Sequence, residues 1–553
     1  MKKNFLHNLF IFVLFALIPL VKGQTINYSH ADTLKGSITN ERIWWNVLHY
    51  ELHVSFNPSD STIKGFNIIT YKVVEPNCIL QIDLMSPLVI DSIYQGSKKC
   101  EWKQNGDAYF IKLLRVQKIS TIKTITVYYH GKPRRAKNAP WDGGIIWEKD
   151  EYNNPWVSIA CQGMAGSAWY PCKDHQYDEP DSASVFITAP KQLVAVANGK
   201  LRSQTLNEDS TTTYNWAVVN PINNYNIIPY IGKYINFKDT FCGKGGLLDL
   251  DFWVLEGNLE KAQKQFKQVK PMLTCFEDWF GKYPFYEDGY KLVESPFLGM
   301  EHQSAIAYGN NFVNGYSGAD LSSTGWGLKW DFIIIHESGH EWFGNNISAK
   351  DLADNWIHEG FTAYAENLYT EYLFGKKAGA EYVIGTRKEI LNDIPIISNY
   401  NVNRDGSGDK YYKAANMLHL IRTIVNNDSL WKSTLQNMNE LFWHQTVTSN
   451  QIENYLITSL RYDFQKVFDQ YLRTTKIPNL EYHLTTNQLY FRWTNCVKDF
   501  NMPLRINDGE NDVWLHPKTK WQVITYNSNV IIPDSNFYIS SNQIYTEVKL
   551  DGD

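Results

Sequence analysis

A chain of 553 residues, 43% hydrophobic and 20% charged, exceeds what one core can organise and is ordinary for a globular protein, so two to four domains are expected. The formal net charge of −5, with no basic stripe, argues against a nucleic-acid partner. Aromatic residues reach 14%, which suits large β-rich cores better than a sugar-binding surface.

In chain order, residues 1–23 come first. Lys2 and Lys3 precede the apolar run Leu9 to Val21, and Val21-Lys22-Gly23 offers permissive residues for cleavage before Gln24. This pattern predicts a signal peptide, too short to span a bilayer. No cysteine follows the cleavage site, so an exported protein, periplasmic or secreted and without a stable membrane anchor, is expected. The seven cysteines form no C-x-x-C pair, which makes a thiolate zinc site improbable, and their odd number leaves at least one outside any intrachain disulfide.

From about Ile43 to Phe237, short alternating runs such as Tyr50 to Phe56 and Ile122 to Val127 are separated by turn clusters such as Asn57-Pro58-Ser59-Asp60. That is antiparallel β structure. Helical spacing follows at 259–280, 326–345, 355–374, 380–393, 411–425 and 452–475. After Leu480 alternation returns, with a hairpin predicted between Leu504–Gly509 and Val513–Leu515.

The chemistry concentrates in the helical part. His336-Glu337-Ser338-Gly339-His340 is H-E-x-x-H, and on a helix residues i and i+4 share a face. His336 and His340 can therefore hold one zinc ion, leaving Glu337 to act as a general base on the attacking water. A catalytic zinc needs a third protein ligand, and Glu359, at the start of the next helical pattern, supplies it across a turn.

Taken together, these residues resemble the aminopeptidase N type of gluzincin metallopeptidase. The resemblance rests on H-E-x-x-H, eighteen residues and then Glu, within Trp356-Ile357-His358-Glu359-Gly360-Phe361. Leu298-Gly299-Met300-Glu301-His302 is similar to that family's G-x-M-E-N exopeptidase motif, and Tyr411-Tyr412-Lys413-Ala414 to its Y-x-K-G segment. Tyr170-Pro171-Cys172-Lys173-Asp174 resembles a P-C-x-D stretch, and Gln162 lies upstream as an amine-contacting Gln would. The resemblance implies that Tyr411 donates to the oxyanion, that Glu301 and Gln162 receive the substrate's α-ammonium, and that Gly299 and Met300 line the substrate. Four positions depart from the family's pattern: His302, His358, Glu341 and Ala414.

The expectation is a multidomain α+β protein. A signal peptide (1–23) precedes an N-terminal antiparallel β-domain (24–245), a thermolysin-like, mostly helical zinc domain (246–476) and a small C-terminal β-sandwich (477–553). The expected activity is a zinc-dependent aminopeptidase with one Zn²⁺ per chain, acting on peptides with a free N-terminus. A thermolysin-type endopeptidase would share the zinc site but has no use for Glu301 and Gln162. A peptide-binding protein with a degenerate site would not retain all four zinc-site residues.

Overall fold

Side chains along Trp45–Asn57 alternate between buried and partly exposed, the signature of a strand with one face on a core. This strand pairs antiparallel with Thr62–Val73 and parallel with Ser182–Pro190. The three lie inside an eight-stranded sheet that runs from Lys200–Leu206 at one edge to Lys98–Lys99 at the other. A four-stranded sheet, including Gly144–Lys149 and Pro155–Ala160, and a three-stranded sheet complete the N-terminal β-domain. The computed structural model describes residues 28–161, 166–546 and 548, so the expected signal peptide and Gln162 lie outside the described residues.

A five-stranded sheet begins the next unit, with the hairpin Tyr234–Gly243 and Gly246–Leu255 followed by Tyr290–Glu294, Ile306–Tyr308 and, at the edge, Gly299–Met300. The expected boundary between residues 245 and 246 falls inside the turn of that hairpin. Ten paired positions join its two strands, so both belong to one sheet.

Helices Val269–Phe280, Phe332–Gly339, Trp356–Phe374, Lys376–Gly385 and Tyr412–Val425 pack beyond the sheet. Several helices are shorter than their apolar spacing predicts: the one expected over 259–280 is divided at Phe266–Gln268, and the one expected over 380–393 ends at Gly385. The one expected over 326–345 is helical only from Phe332 to Gly339, because the Asp331 carboxylate caps Ile333 N and Ile334 N. The one expected over 452–475 breaks at Arg461, whose φ of 54° ends the helix Ser449–Leu460 before Gln465–Arg473 starts. A helix that periodicity missed, Asp428–Leu441, is capped by Asn427.

The C-terminal segment forms a four-stranded and a three-stranded sheet, including the predicted hairpin, in which Leu504–Asn507 pairs with Asp512–Leu515. Its apolar side chains, Leu480, Phe491, Trp493 and Phe537 among them, join the same continuous core as the helices. Among the described residues no helix is long and apolar enough to cross a membrane. All seven cysteines are free.

Candidate active site

The helix Phe332–Gly339 is wholly buried, its last turn presents His336, and His340 is the residue at its C-cap. Their Nε2 atoms lie 3.3 Å apart. Glu359, in the first turn of Trp356–Phe374, brings Oε2 to 3.3 Å from His340 Nε2 and 3.7 Å from His336 Nε2. All three residues are at most 5% exposed.

What holds the imidazoles decides their tautomers. His336 Nδ1 is 2.7 Å from the Glu366 carboxylate, and His340 Nδ1 is 3.0 Å from the Phe343 carbonyl. Both partners accept, so each Nδ1 carries its hydrogen and donates it. Each neutral ring then turns the lone pair of Nε2 inward. Two lone pairs facing one another at 3.3 Å, beside a carboxylate, repel unless a cation lies among them. The donor set of two nitrogens and one carboxylate oxygen, within 4.8 Å of one another, fits a zinc ion.

Glu366 was not singled out in the sequence. It lies seven residues beyond Glu359, two turns along the same helix face, with Thr362 between them. Thr362 Oγ1 is 3.3 Å from His340 Nδ1, and the Tyr382 hydroxyl donates to Glu366 at 2.6 Å. The i, i+3, i+7 spacing of Glu359, Thr362 and Glu366 was the available signal.

The predicted site residues other than Gln162 line one cavity of about 270 Å³. Glu337 is 8% exposed, and burial pushes its carboxyl up to about 7, with Glu301 and Glu359 adding to the rise and the two imidazoles opposing it. Gly299 lies directly over this carboxylate, since a Cβ there would sit 2.9 Å from Glu337 Oε1 and 2.8 Å from Ile333. Met300 is buried beside it on the edge strand. Glu301 is 5% exposed, accepts from the Tyr225 hydroxyl at 3.2 Å, and has an oxygen within 4.8 Å of donor atoms of Glu337 and His340. The Tyr411 hydroxyl donates to Glu359 Oε1 at 2.8 Å, on the open side of the ligand cluster.

Tyr411 is placed by the loop before it, which is tied at several points. Asp409 accepts from Leu391 N at 2.8 Å and Asn392 N at 2.7 Å, Asn401 N donates to Asp351 at 2.9 Å, and the Tyr400 hydroxyl donates to Asp354 at 2.8 Å. The four departures from the motif pattern are all buried in supporting contacts. His302 Nδ1 is 2.5 Å from the Tyr230 hydroxyl, and His358 Nε2 accepts from Ala349 N at 2.6 Å. Glu341 accepts from Ser304 N at 2.8 Å, and Ala414 packs against Gly360.

Comparison with known proteins agrees with this geometry. Residues 264–471 match the peptidase family M1 domain. The chain is 22% identical to leukotriene A-4 hydrolase of Xenopus laevis over 343 residues, covering 58% of this chain and 52% of that protein. It is 25% identical to human aminopeptidase B over 242 residues, covering 42% of this chain and 33% of that protein. The chain therefore spans between a third and a half of the length of these relatives. An M1 zinc metallopeptidase variant of Deinococcus radiodurans, solved with a Tyr-Ser-Ala substrate, superposes with a TM-score of 0.68 at 19% identity, covering 79% of this chain and 96% of that one. That likeness bears out the α+β architecture of a β-rich N-terminal part and a helical catalytic part. In motif and in family comparison, residues 264–471 are thus similar to the peptidase family M1 domain, on a fold like that of the Deinococcus radiodurans metallopeptidase.

Proposed function

We propose that the protein is a zinc-dependent aminopeptidase, removing single residues from the free N-terminus of peptides. The observation that carries this reading is Glu301, a buried carboxylate beside Glu337 and His340 in the same cavity as the ligand cluster. His336, His340 and Glu359 would hold the zinc, which supplies Lewis-acid polarisation and a more acidic water at neutral pH.

The chain's own groups do the rest. Glu337 takes a proton from the attacking water and returns it to the leaving amine, a role suited to a carboxyl that burial has raised to about 7. Tyr411 turns its hydroxyl from Glu359 to the carbonyl oxygen on which negative charge develops. Glu301 receives the α-ammonium, with Gln162 assisting from the β-domain. The edge strand Gly299–Met300 lies alongside the peptide, and any side chain at Gly299 would displace the base. An internal peptide brings no cation to Glu301, and a buried carboxylate left unpaired costs about 3–5 kcal/mol.

Free-amine and N-acetylated forms of one peptide, each assayed with and without chelator, test the reading. Chelation should abolish turnover, and the free amine should be preferred by roughly a hundredfold or more. Glu301→Gln should depress cleavage of the free amine far more than that of the acetylated form. An equal fall for both would return Glu301 to a structural role and favour an endopeptidase.

A further inference from the structure

One end of the N-terminal β-domain is formed by the connection over residues 113–121, between strands Ala108–Lys112 and Ile122–Gly131, and by the segment that follows Thr62–Val73. The connection is held by its backbone. Leu113 N donates to the Cys78 carbonyl, Gln117 N to the Asn77 carbonyl and Ser120 N to the Val73 carbonyl, each at 2.8 Å. Val73 N donates in turn to the Thr121 carbonyl at 2.9 Å. Leu113 and Gln117 point inward and are buried, and Gln117 Oε1 accepts from Gln95 Nε2 at 3.2 Å.

On this fixed base the remaining side chains face solvent. Leu114, Val116, Ile119 and Ile122 are each more than half exposed, and Val74 and Ile79 on the neighbouring segment are 38% and 40% exposed. Exposed cations stand among them at Lys72, Lys112, Arg115 and Lys118. Strand pairing sets the two kinds side by side, since Ile122 is the cross-strand partner of Lys72 and Ile79 that of Lys112. None of the four cations is drawn into an ion pair among the described residues. The carboxylates at the rim are Glu75, next to Val74, and Glu101, opposite Lys112. The run from Lys112 to Ile122 carries no acid.

The composition of this surface selects its partner. Protein interfaces concentrate aromatic side chains and are poor in lysine, and single-stranded nucleic acid is held by aromatic stacking. Here aliphatic side chains alternate with cations, and no ring is among them. An anionic bilayer takes both, with headgroup phosphates meeting the cations and the acyl boundary receiving the aliphatic groups.

We propose that this end of the β-domain docks reversibly on an anionic phospholipid surface, with Arg115 and Lys118 at the headgroups and Val116 and Ile119 entering the boundary beside them. The inference stands apart from the aminopeptidase reading, because none of these residues lines the catalytic cavity.

Vesicle sedimentation tests it on the chain beginning at Gln24, which keeps every described residue and omits the apolar run Leu9 to Val21. The protein should sediment with vesicles of phosphatidylcholine containing a quarter phosphatidylglycerol, stay in solution with pure phosphatidylcholine, and be released at about 0.5 M salt. Each cation near such a surface is worth roughly fivefold in partitioning, so Arg115→Gln with Lys118→Gln should weaken binding by about tenfold or more. Val116→Ser with Ile119→Ser should weaken it comparably, because the buried apolar area sets the rest of the affinity. All four side chains are exposed, so melting temperatures should hold. A pair that lowers its melting temperature is replaced by Lys72→Gln with Ile122→Thr, cross-strand partners in the same patch. No sedimentation with the anionic vesicles, or native-like binding by both pairs, would overturn the inference. So would a loss confined to the charge pair, which would make the attraction diffuse, or equal affinity for double-stranded DNA at the same salt, which would make the surface a general polyanion site.

Discussion

At the residue scale, adjacent tyrosines have different work. The Tyr411 hydroxyl donates to Glu359 at 2.8 Å, whereas Tyr412 opens the helix Tyr412–Val425 and lines the wall of the same cavity. Losing an oxyanion donor costs about 10²–10³ in kcat, so Tyr411→Phe should fall by that much with its zinc content and melting temperature nearly unchanged. Tyr412→Phe should lose less than tenfold, and steady-state kinetics on one substrate separates the two. The zinc-site residues were legible because their spacing is a constraint of the helix itself. Glu366 was not singled out, because its seven-residue spacing from Glu359 marks a shared helix face without saying that an imidazole lies against that face. Nor was the use of His358 and Glu341, whose partners Ala349 N and Ser304 N depend on how loops fold back.

At the element scale, the site depends on how closely two helices cross. Gly360, the neighbour of Glu359, faces Ala414 on the helix Tyr412–Val425, and a Cβ on Gly360 would sit 2.6 Å from the Ala414 Cβ. An alanine in mid-helix gains up to about 1 kcal/mol of propensity over glycine. Overpacking costs about 1–3 kcal/mol, so Gly360→Ala should be destabilising on balance. Thermal denaturation checks the sign, and adding Ala414→Gly should restore part of the loss. This pairing is the physical content of the alanine that stands where the motif carries glycine. Periodicity found most helices but not their ends, which side-chain caps and left-handed residues set. Asp331 starts the ligand-bearing helix late, and Arg461 splits the run at 452–475. The strands of the β-domain were legible as alternation. Their order was not, since the parallel pairing of Trp45–Asn57 with Ser182–Pro190 joins segments over a hundred residues apart.

At the scale of the whole molecule, the C-terminal sheets and the helical unit share one core. Arg387 links the two, donating to the carbonyls of Ser535 at 2.8 Å and Asn536 at 3.3 Å. His419 lies at the same junction, with Nε2 2.8 Å from Asn536 Oδ1. Burial depresses its pKa from the usual 6.5 to about 4, with Arg422 and Arg387 adding to the fall and the Asn536 bond opposing it. The folded protein thus keeps this ring neutral where the unfolded chain would protonate it. Its contribution is present above about pH 6.5 and is lost as the pH falls toward 4, amounting at most to roughly 3 kcal/mol. Melting temperatures across that window should fall less steeply for His419→Gln than for the native protein. An identical slope would place the acid sensitivity elsewhere.

The ties on the segment before Tyr411 also reach beyond catalysis. By composition, Ser398 to Asp409 is rich in Gly, Ser and Asn, the kind of connector that nicking proteases favour. Its backbone and side chains are nevertheless bound to Asp351, Asp354 and the Asp32 carbonyl, and cleavage would first require these contacts to open. Limited proteolysis of the folded protein should therefore spare this segment, and become able to cut it only under conditions that also release Tyr411 from the site.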